Sequence, residues 1–349
     1  ATAVQHTVQF PSNDPTLVVS AMAYATKRLG FACTYSTTYF PPYQTAKLFS
    51  TLDHLTKGRI AWNVVTSYLP DANANFELGD QMSHDERYDR AEEYLEVVYK
   101  LWEHSWEEDA AVRDAAADVH NDPAKVHEIN HEGKWFTVPG PHMCEPSLQR
   151  TPVLFQAGQS GRGTEFAARH AEAVFALYAN FDSCQEGAKK FRAAIAAEGR
   201  APDHVKIFPG ITPVIATSDA EAQEKFEKMK EYASPEGALA LFSGWVGIDL
   251  SEVTSDMLLS DVKTDAIQGL LSYFTLIDPN RKWTVEAMGE QISIGSVMPK
   301  FIGSPTTVAD QLEHWMSECD IDGFNIAPAV QPTGFTDFVD LVIPELRRR

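Results

Sequence analysis

Cysteine, positive charge and long apolar runs are all in short supply in this sequence. Four cysteines (Cys33, Cys144, Cys184, Cys319) occur in 349 residues, none of them in a CxxC spacing. That scarcity excludes a disulfide framework and a cysteine-rich metal site, and it fits a reducing cytoplasm. No stretch approaches the ~18 uninterrupted apolar residues of a membrane span, and no basic-then-apolar signal segment opens the chain. Lys and Arg number 29 against 49 Asp and Glu, a formal net charge of −20. A surface this acidic repels the phosphates of nucleic acid and of anionic lipid, so neither is an expected partner. Also missing are a Walker motif, a GxGxxG fingerprint, a G-x-S-x-G elbow and a kinase signature. The chain starts at Ala1 without an initiator Met and stops at Arg347, Arg348 and Arg349, so pieces are expected to be missing at both ends.

What remains is an enzyme-sized chain, 44% hydrophobic and 22% charged, with ample material for a large core. Its punctuation alternates between strands and helices. Asp14 and Pro15 read as an N-cap and first helical residue, with a helix running to Arg28 and stopped by Gly30. A β-branched and aromatic strand follows over Gly30–Thr38, then a helix over Tyr43–Thr56 closed by Gly58. The near-continuous apolar run from Arg59 to Ser67 reads as a strand buried on both faces. Strands at Pro152–Gly158, Ala173–Tyr178, Val205–Ala216 and Gly323–Ala327 are predicted with helices at Thr164–His170, Gln185–Glu198 and Phe335–Leu346.

Six strands in βα alternation mean a parallel sheet with right-handed crossovers. The expected fold is a single (β/α)8 barrel over residues 1–349 with two inserts, about 69–150 and 218–305, the latter read as helical. Two βα units of about 30 residues each would then precede Ala1.

Four groups of residues could carry chemistry. Gln156-Ala-Gly-Gln-Ser-Gly-Arg-Gly links a strand to a helix, so free N–H groups and the Ser160 hydroxyl could hold a phosphate, with Arg162 adding charge. Ser83-His-Asp-Glu opens a helix with a capping box and puts His84 and Tyr88 on one face of its first turns. Polar residues crowd two strand ends: Thr34, Ser36, Thr37 and Thr38 on one, Asn63, Thr66, Ser67 and Tyr68 on the next. Finally, His127-Glu-Ile-Asn-His131 matches the zincin pattern H-E-x-x-H, but the expected helix from Asp122 to Gly133 is only about two turns long and a strand follows it, which argues against zinc. Glu92, Glu93 and Glu96 read as a solvated helix face, and Trp102 with Trp106 as packing.

Taken together, Phe10-Pro-Ser-Asn-Asp-Pro, Ser36-Thr-Thr-Tyr, Ser50-Thr-Leu-Asp-His-Leu-Thr-Lys-Gly-Arg, Trp62-Asn-Val-Val-Thr-Ser, His84-Asp-Glu-Arg-Tyr, Val138-Pro-Gly-Pro, Arg150-Thr-Pro-Val-Leu-Phe-Gln-Ala-Gly and Asp322-Gly-Phe-Asn resemble one family along the whole chain. It is the branch of the bacterial-luciferase-like flavin monooxygenases that acts on nitrilotriacetate, dibenzothiophene sulfone and long-chain alkanes. The resemblance implies a luciferase-like (β/α)8 TIM barrel in a two-component system. A separate NAD(P)H:flavin reductase would supply FMN as FMNH2, and this cytoplasmic homodimer or homotetramer would react it with O2 to a C4a-hydroperoxyflavin that oxygenates a small organic substrate. By resemblance Thr34, Asn63 and Thr66 border the flavin ring. His84 and Tyr88 lie toward its ribityl and phosphate, and Gly158 and Ser160 toward the phosphate. Tyr68 and Gln9 are the candidate catalytic residues. Tyr68 stands where alkane-oxidising relatives carry His and sulfone-oxidising ones carry Tyr, which points away from an alkane. Two other readings stay open: hydride transfer with a flavin or deazaflavin, and a flavin-binding paralogue without catalysis.

Overall fold

The computed structural model describes residues 2–9, 11–67, 70–246, 258 and 273–349. They form two compact units. One is Asn13–Val174 with Glu198–Arg200; the other is Ala1–Ser12, Phe175–Ala197 and Ala201–Arg349.

In the Asn13–Val174 unit three α-helices start on a capping side chain, that of Asp14, Ser83 or Ser160. After a four-residue turn of helix, α1 (Thr2–Gln5, in the other unit), Asp14 accepts the Thr16 N–H at 2.8 Å and Pro15 opens α2 (Pro15–Ala25). Strand β1 (Phe31–Ser36) leads to α3 (Pro42–Thr56), which ends at Lys57 and Gly58 in the left-handed region. Strand β2 (Ile60–Val65) follows, then the short α4 (Pro70–Asn75), and Ser83 caps α5 (His84–Tyr99), which runs on as a π-helical turn over Lys100–His104. A two-stranded antiparallel hairpin, β3 (His131–Glu132) and β4 (Thr137–Val138), precedes β5 (Val153–Gln156), α6 (Gly161–His170) and β6 (Ala173–Ala176).

Strands β1, β2, β5 and β6 pair in that order, all parallel, which places Thr34 beside Asn63, Asn63 beside Phe155, and Phe155 beside Ala173. One face of β1 is buried through Phe31, Cys33 and Tyr35, while Ala32 and Thr34 on the other face are exposed. Behind the buried face Trp62 packs against Phe49, Tyr94 and Trp102 at centroid distances of 5.5, 6.0 and 6.2 Å. Its indole N–H donates to the Tyr35 carbonyl, so the buried polar end is satisfied.

The other unit contains α7 (Phe181–Ala197), β7 (Lys206–Ile215), α8 (Asp219–Tyr232) and α9 (Pro235–Val246), followed by α10 (Val285–Ile292), β8 (Lys300–Gly303), α11 (Pro305–Glu318) and β9 (Asn325–Ile326). Both β8 and β9 pair parallel to β7. Strand β8 falls inside the stretch read as helical from sequence. It is four residues long, squeezed between Pro299 and the Ser304 cap of α11, so it offers almost no period to detect. A second cluster, with Phe242, Phe274, Trp283 and Met288 at its centre, holds α9 and α10 together. No helix among the described residues is long and apolar enough to cross a membrane.

Candidate functional site

The C-terminal end of β5 supplies the densest polar arrangement. The chain leaves the strand through Gln156, and its amide folds back on the turn: the Gly158 N–H donates to Gln156 Oε1 at 2.6 Å, while Gln156 Nε2 donates to the Tyr88 hydroxyl at 3.4 Å. Ser160 then caps α6, accepting the Gly163 N–H at 3.0 Å. The same hydroxyl lies 3.1 Å from His84 Nε2, and His84 Nδ1 lies 2.8 Å from Asp85 Oδ1. Tyr88 is buried one turn along α5, edge-on to Phe166, whereas His84 and Ser160 are exposed.

Glycine is required here by contact. A Cβ on Gly158 would lie 2.5 Å from the Tyr88 hydroxyl and 3.1 Å from Gly163 Cα; one on Gly163 would lie 2.8 Å from that hydroxyl. Four of the sequence-selected residues, His84, Tyr88, Gly158 and Ser160, thus meet at the start of α6. The first N–H groups of that helix have no intrahelical acceptor, and its dipole favours an anion there. Arg162 does not serve this point as expected. Its guanidinium pairs instead with Asp89 of α5 at 2.6 Å and with Glu165 of its own helix at 3.1 Å.

The strand-end residues form a second group, one strand away. Asn63 Nδ2 donates to Thr34 Oγ1 at 2.9 Å, while Asn63 Oδ1 is buried with no partner among the described residues. Leaving such an acceptor unpaired costs about 1–3 kcal/mol unless a ligand or water satisfies it. Beyond the strands the chains stay laced: the Thr38 hydroxyl donates to the Thr66 carbonyl at 2.6 Å, and Ser36 and Ser67 share a 2.7 Å hydrogen bond. Gln9 is exposed, in the left-handed region, and belongs to the other unit. Tyr68 lies outside the described residues.

Arg90 and Gln156 were not singled out from the sequence. Arg90 donates to the Thr37 carbonyl and stacks on Phe136 at 4.7 Å, tying α5 to the end of β1. Burial holds its guanidinium below the usual arginine range, against the opposing pull of Tyr94 and Glu93. Gln156 carried a signal, a polar residue at an inward position of an apolar strand.

The H-E-x-x-H segment is not helical. Asp122 and Pro123 start only a three-residue 3-10 turn, Trp106 bridges to Val126, and Asn130 turns through the left-handed region into β3. His127 is exposed beside Glu107 at 2.9 Å, while His131 is buried between Lys100 at 3.1 Å and Glu93 at 3.4 Å. Nor is Glu93 on a solvated face. It is half-buried beside the hairpin and accepts the N–H groups of Lys134, Trp135 and Phe136, which a turn leaves unpaired. Glu92 is also engaged, by Arg169 and His170.

Polar side chains at the carboxyl ends of parallel strands, with a helix N-terminus open beside them, form the kind of site that can hold a phosphate-bearing ligand in an α/β-barrel enzyme. The chain belongs to the luciferase-like monooxygenase family, which it matches over residues 1–319. It is 48% identical over 341 residues to the dimethyl-sulfide monooxygenase of Hyphomicrobium sulfonivorans, covering 98% of this chain and 71% of that one. It is likewise 48% identical over 355 residues to the long-chain alkane monooxygenase of Geobacillus thermodenitrificans, covering 100% and 75%. A crystal structure of riboflavin lyase with modified FMN and riboflavin superposes with a TM-score of 0.86 at 38% identity, covering 97% and 75%. The fold expected from sequence, a luciferase-like (β/α)8 barrel type with parallel strands and intervening helices, is therefore the fold of this chain, and the family is flavin-dependent.

Proposed function

We propose that this protein is the oxygenating component of a two-component system, taking FMNH2 from a separate reductase and using O2 to oxygenate a small organic substrate. The observation that carries the reading is the meeting of Ser160 Oγ and His84 Nε2 at the open start of α6, one strand from the unpaired Asn63 Oδ1. A phosphate tail needs donors and a positive dipole, and a flavin ring needs a hydrogen-bonding edge; both kinds of group are present.

Ser160, His84 and the first N–H groups of α6 would hold the phosphate. Tyr88 and Gly158 give that turn its shape, while Thr34, Asn63 and Thr66 would meet the ring. Tyr68 and Gln9 are proposed as the catalytic residues. Bound FMNH2 supplies the two electrons that oxygen activation consumes. The chain's part is to bind, orient and keep water from the reacting atoms.

Anaerobic titration with FMNH2 tests the reading. His84→Ala and Ser160→Ala are each expected to weaken affinity about tenfold, the loss of one charge-assisted contact. Unchanged affinity in both variants would remove the assignment. A steady-state assay with an added flavin reductase then separates oxygenation from hydride transfer by whether substrate turnover consumes O2.

A further inference from the structure

A cavity of about 310 Å³ lies in the second unit, apart from any residue assigned above. Its lining mixes apolar side chains, Phe181, Met298 and Trp315 among them, with the polar Asn180, Lys300 and Gln311. Lys300 is the first residue of β8. Its ammonium donates to two neutral carbonyls, those of Gln291 at 3.1 Å and Ser296 at 3.0 Å. An ammonium has three N–H donors, so one is left over, and among the described residues no carboxylate lies within 4 Å of it. Gln311, from α11, buries its side-chain carbonyl oxygen with no partner among the described residues.

The two carbonyls give Lys300 a structural role, since Gln291 is in the last turn of α10 and a cation favours a helix C-terminus. That role explains neither the lack of a carboxylate partner among the described residues nor the orphaned amide oxygen beside a cavity. A buried cation wants an anion, and carbonyl dipoles offset only part of its lost hydration. Burial pulls the Lys300 ammonium down to about 8. A bound anion would restore the charge, and the Gln311 amide, turned over, would give the anion an N–H.

We propose that this cavity binds a small carboxylate with an apolar body, its carboxylate on Lys300 and Gln311 and its body against Phe181, Met298 and Trp315. The Phe181, Met298 and Trp315 side of the cavity offers no donors, which disfavours inorganic phosphate or sulfate, whose every oxygen needs one.

Isothermal titration of the full chain, with and without saturating FMN, tests the proposal using benzoate and hexanoate as probes and benzyl alcohol as the neutral control. Benzoate should bind saturably and at least about tenfold tighter than benzyl alcohol. Lys300→Met should cost benzoate about tenfold or more and leave benzyl alcohol unchanged, while Gln311→Leu should cost benzoate a few-fold. FMN should leave all three values unmoved. Benzoate and benzyl alcohol binding alike, full affinity in a folded Lys300→Met variant, or competition between benzoate and FMN would each overturn the proposal. If Lys300→Met does not fold, Met298→Trp, which fills the cavity and leaves the ammonium in place, takes over the test. Loss of benzoate binding is expected, and retention overturns it.

Discussion

Two pairs of residues four apart, His84 with Tyr88 and His127 with His131, look equivalent in the sequence and have opposite fates. The first pair sits on a helix fixed at its start by Ser83 and in its second turn by Arg90, so both side chains reach the β5–α6 turn. The second pair sits on extended backbone, where i and i+4 share no helical face, and its imidazoles go to unrelated partners. Spacing therefore carries chemistry only where the backbone period is secured. In α5 a cap, an apolar inward face (Tyr88, Ala91, Leu95, Val98) and a tether all secure it. After Asp122, the β-branched Val126 and Ile129 favour extended pairing, and Asp122 caps a turn that goes no further.

The sharpest way to break the first pair is at the turn it reaches. Gly158→Val drives side-chain atoms into the buried Tyr88 hydroxyl and is expected to cost about 3 kcal/mol, the upper range for overpacking. Urea denaturation measures this, and FMNH2 binding should be lost with it. A stability unchanged from the parent would mean that Tyr88 is not wedged against the turn.

The second pair depends on Glu93, which holds the hairpin carrying His131. Burial alone would raise this carboxyl. The N–H groups of Phe136, Trp135 and Lys134, with the His131 imidazole, outweigh it and hold Glu93 below its ordinary range. A lowered folded value means stability that is fully present above the unfolded glutamate range and lost as pH falls through the folded value. Glu93→Gln should therefore destabilise by about 2 kcal/mol at pH 7, and the gap to the parent should close in acid below about pH 4. A pH-independent gap would assign the loss to packing.

Removing caps compares the two helix starts directly. Ser83→Ala should cost about 1 kcal/mol, while Asp122→Ala, which uncaps only a three-residue turn, should cost a few tenths. Smallest of all, His127→Ala should change stability by less than about 0.5 kcal/mol and FMNH2 affinity not at all.

Much of the fold could be read from punctuation because Asp14, Ser83 and Gly58 do in the structure what such residues do locally. Strand β8 escaped notice because four residues hemmed by prolines and a cap show no alternation. The β5–α6 turn is legible as a glycine-rich strand-to-helix junction, and Ser160, His84 and Tyr88 stand out by local pattern alone. What stayed hidden depends on long-range pairing: Asn63 reaches Thr34 only through strand register, Gln156 reaches Tyr88 across 68 residues, and Arg162 turns away toward a carboxylate on another helix. The burial of Glu93 follows from a hairpin whose position no local pattern announces.

The clasp of Arg90 on the Thr37 carbonyl sets the angular phase of α5 as a key sets a shaft. Each added helical residue advances that phase by about 100°. One alanine inserted between Tyr88 and Asp89 would leave the helix intact, yet swing the imidazole of His84 away from the turn while everything beyond the insertion kept its seat. Such a frame-shifted helix would be a folded protein with its grip on the ligand's tail misaimed.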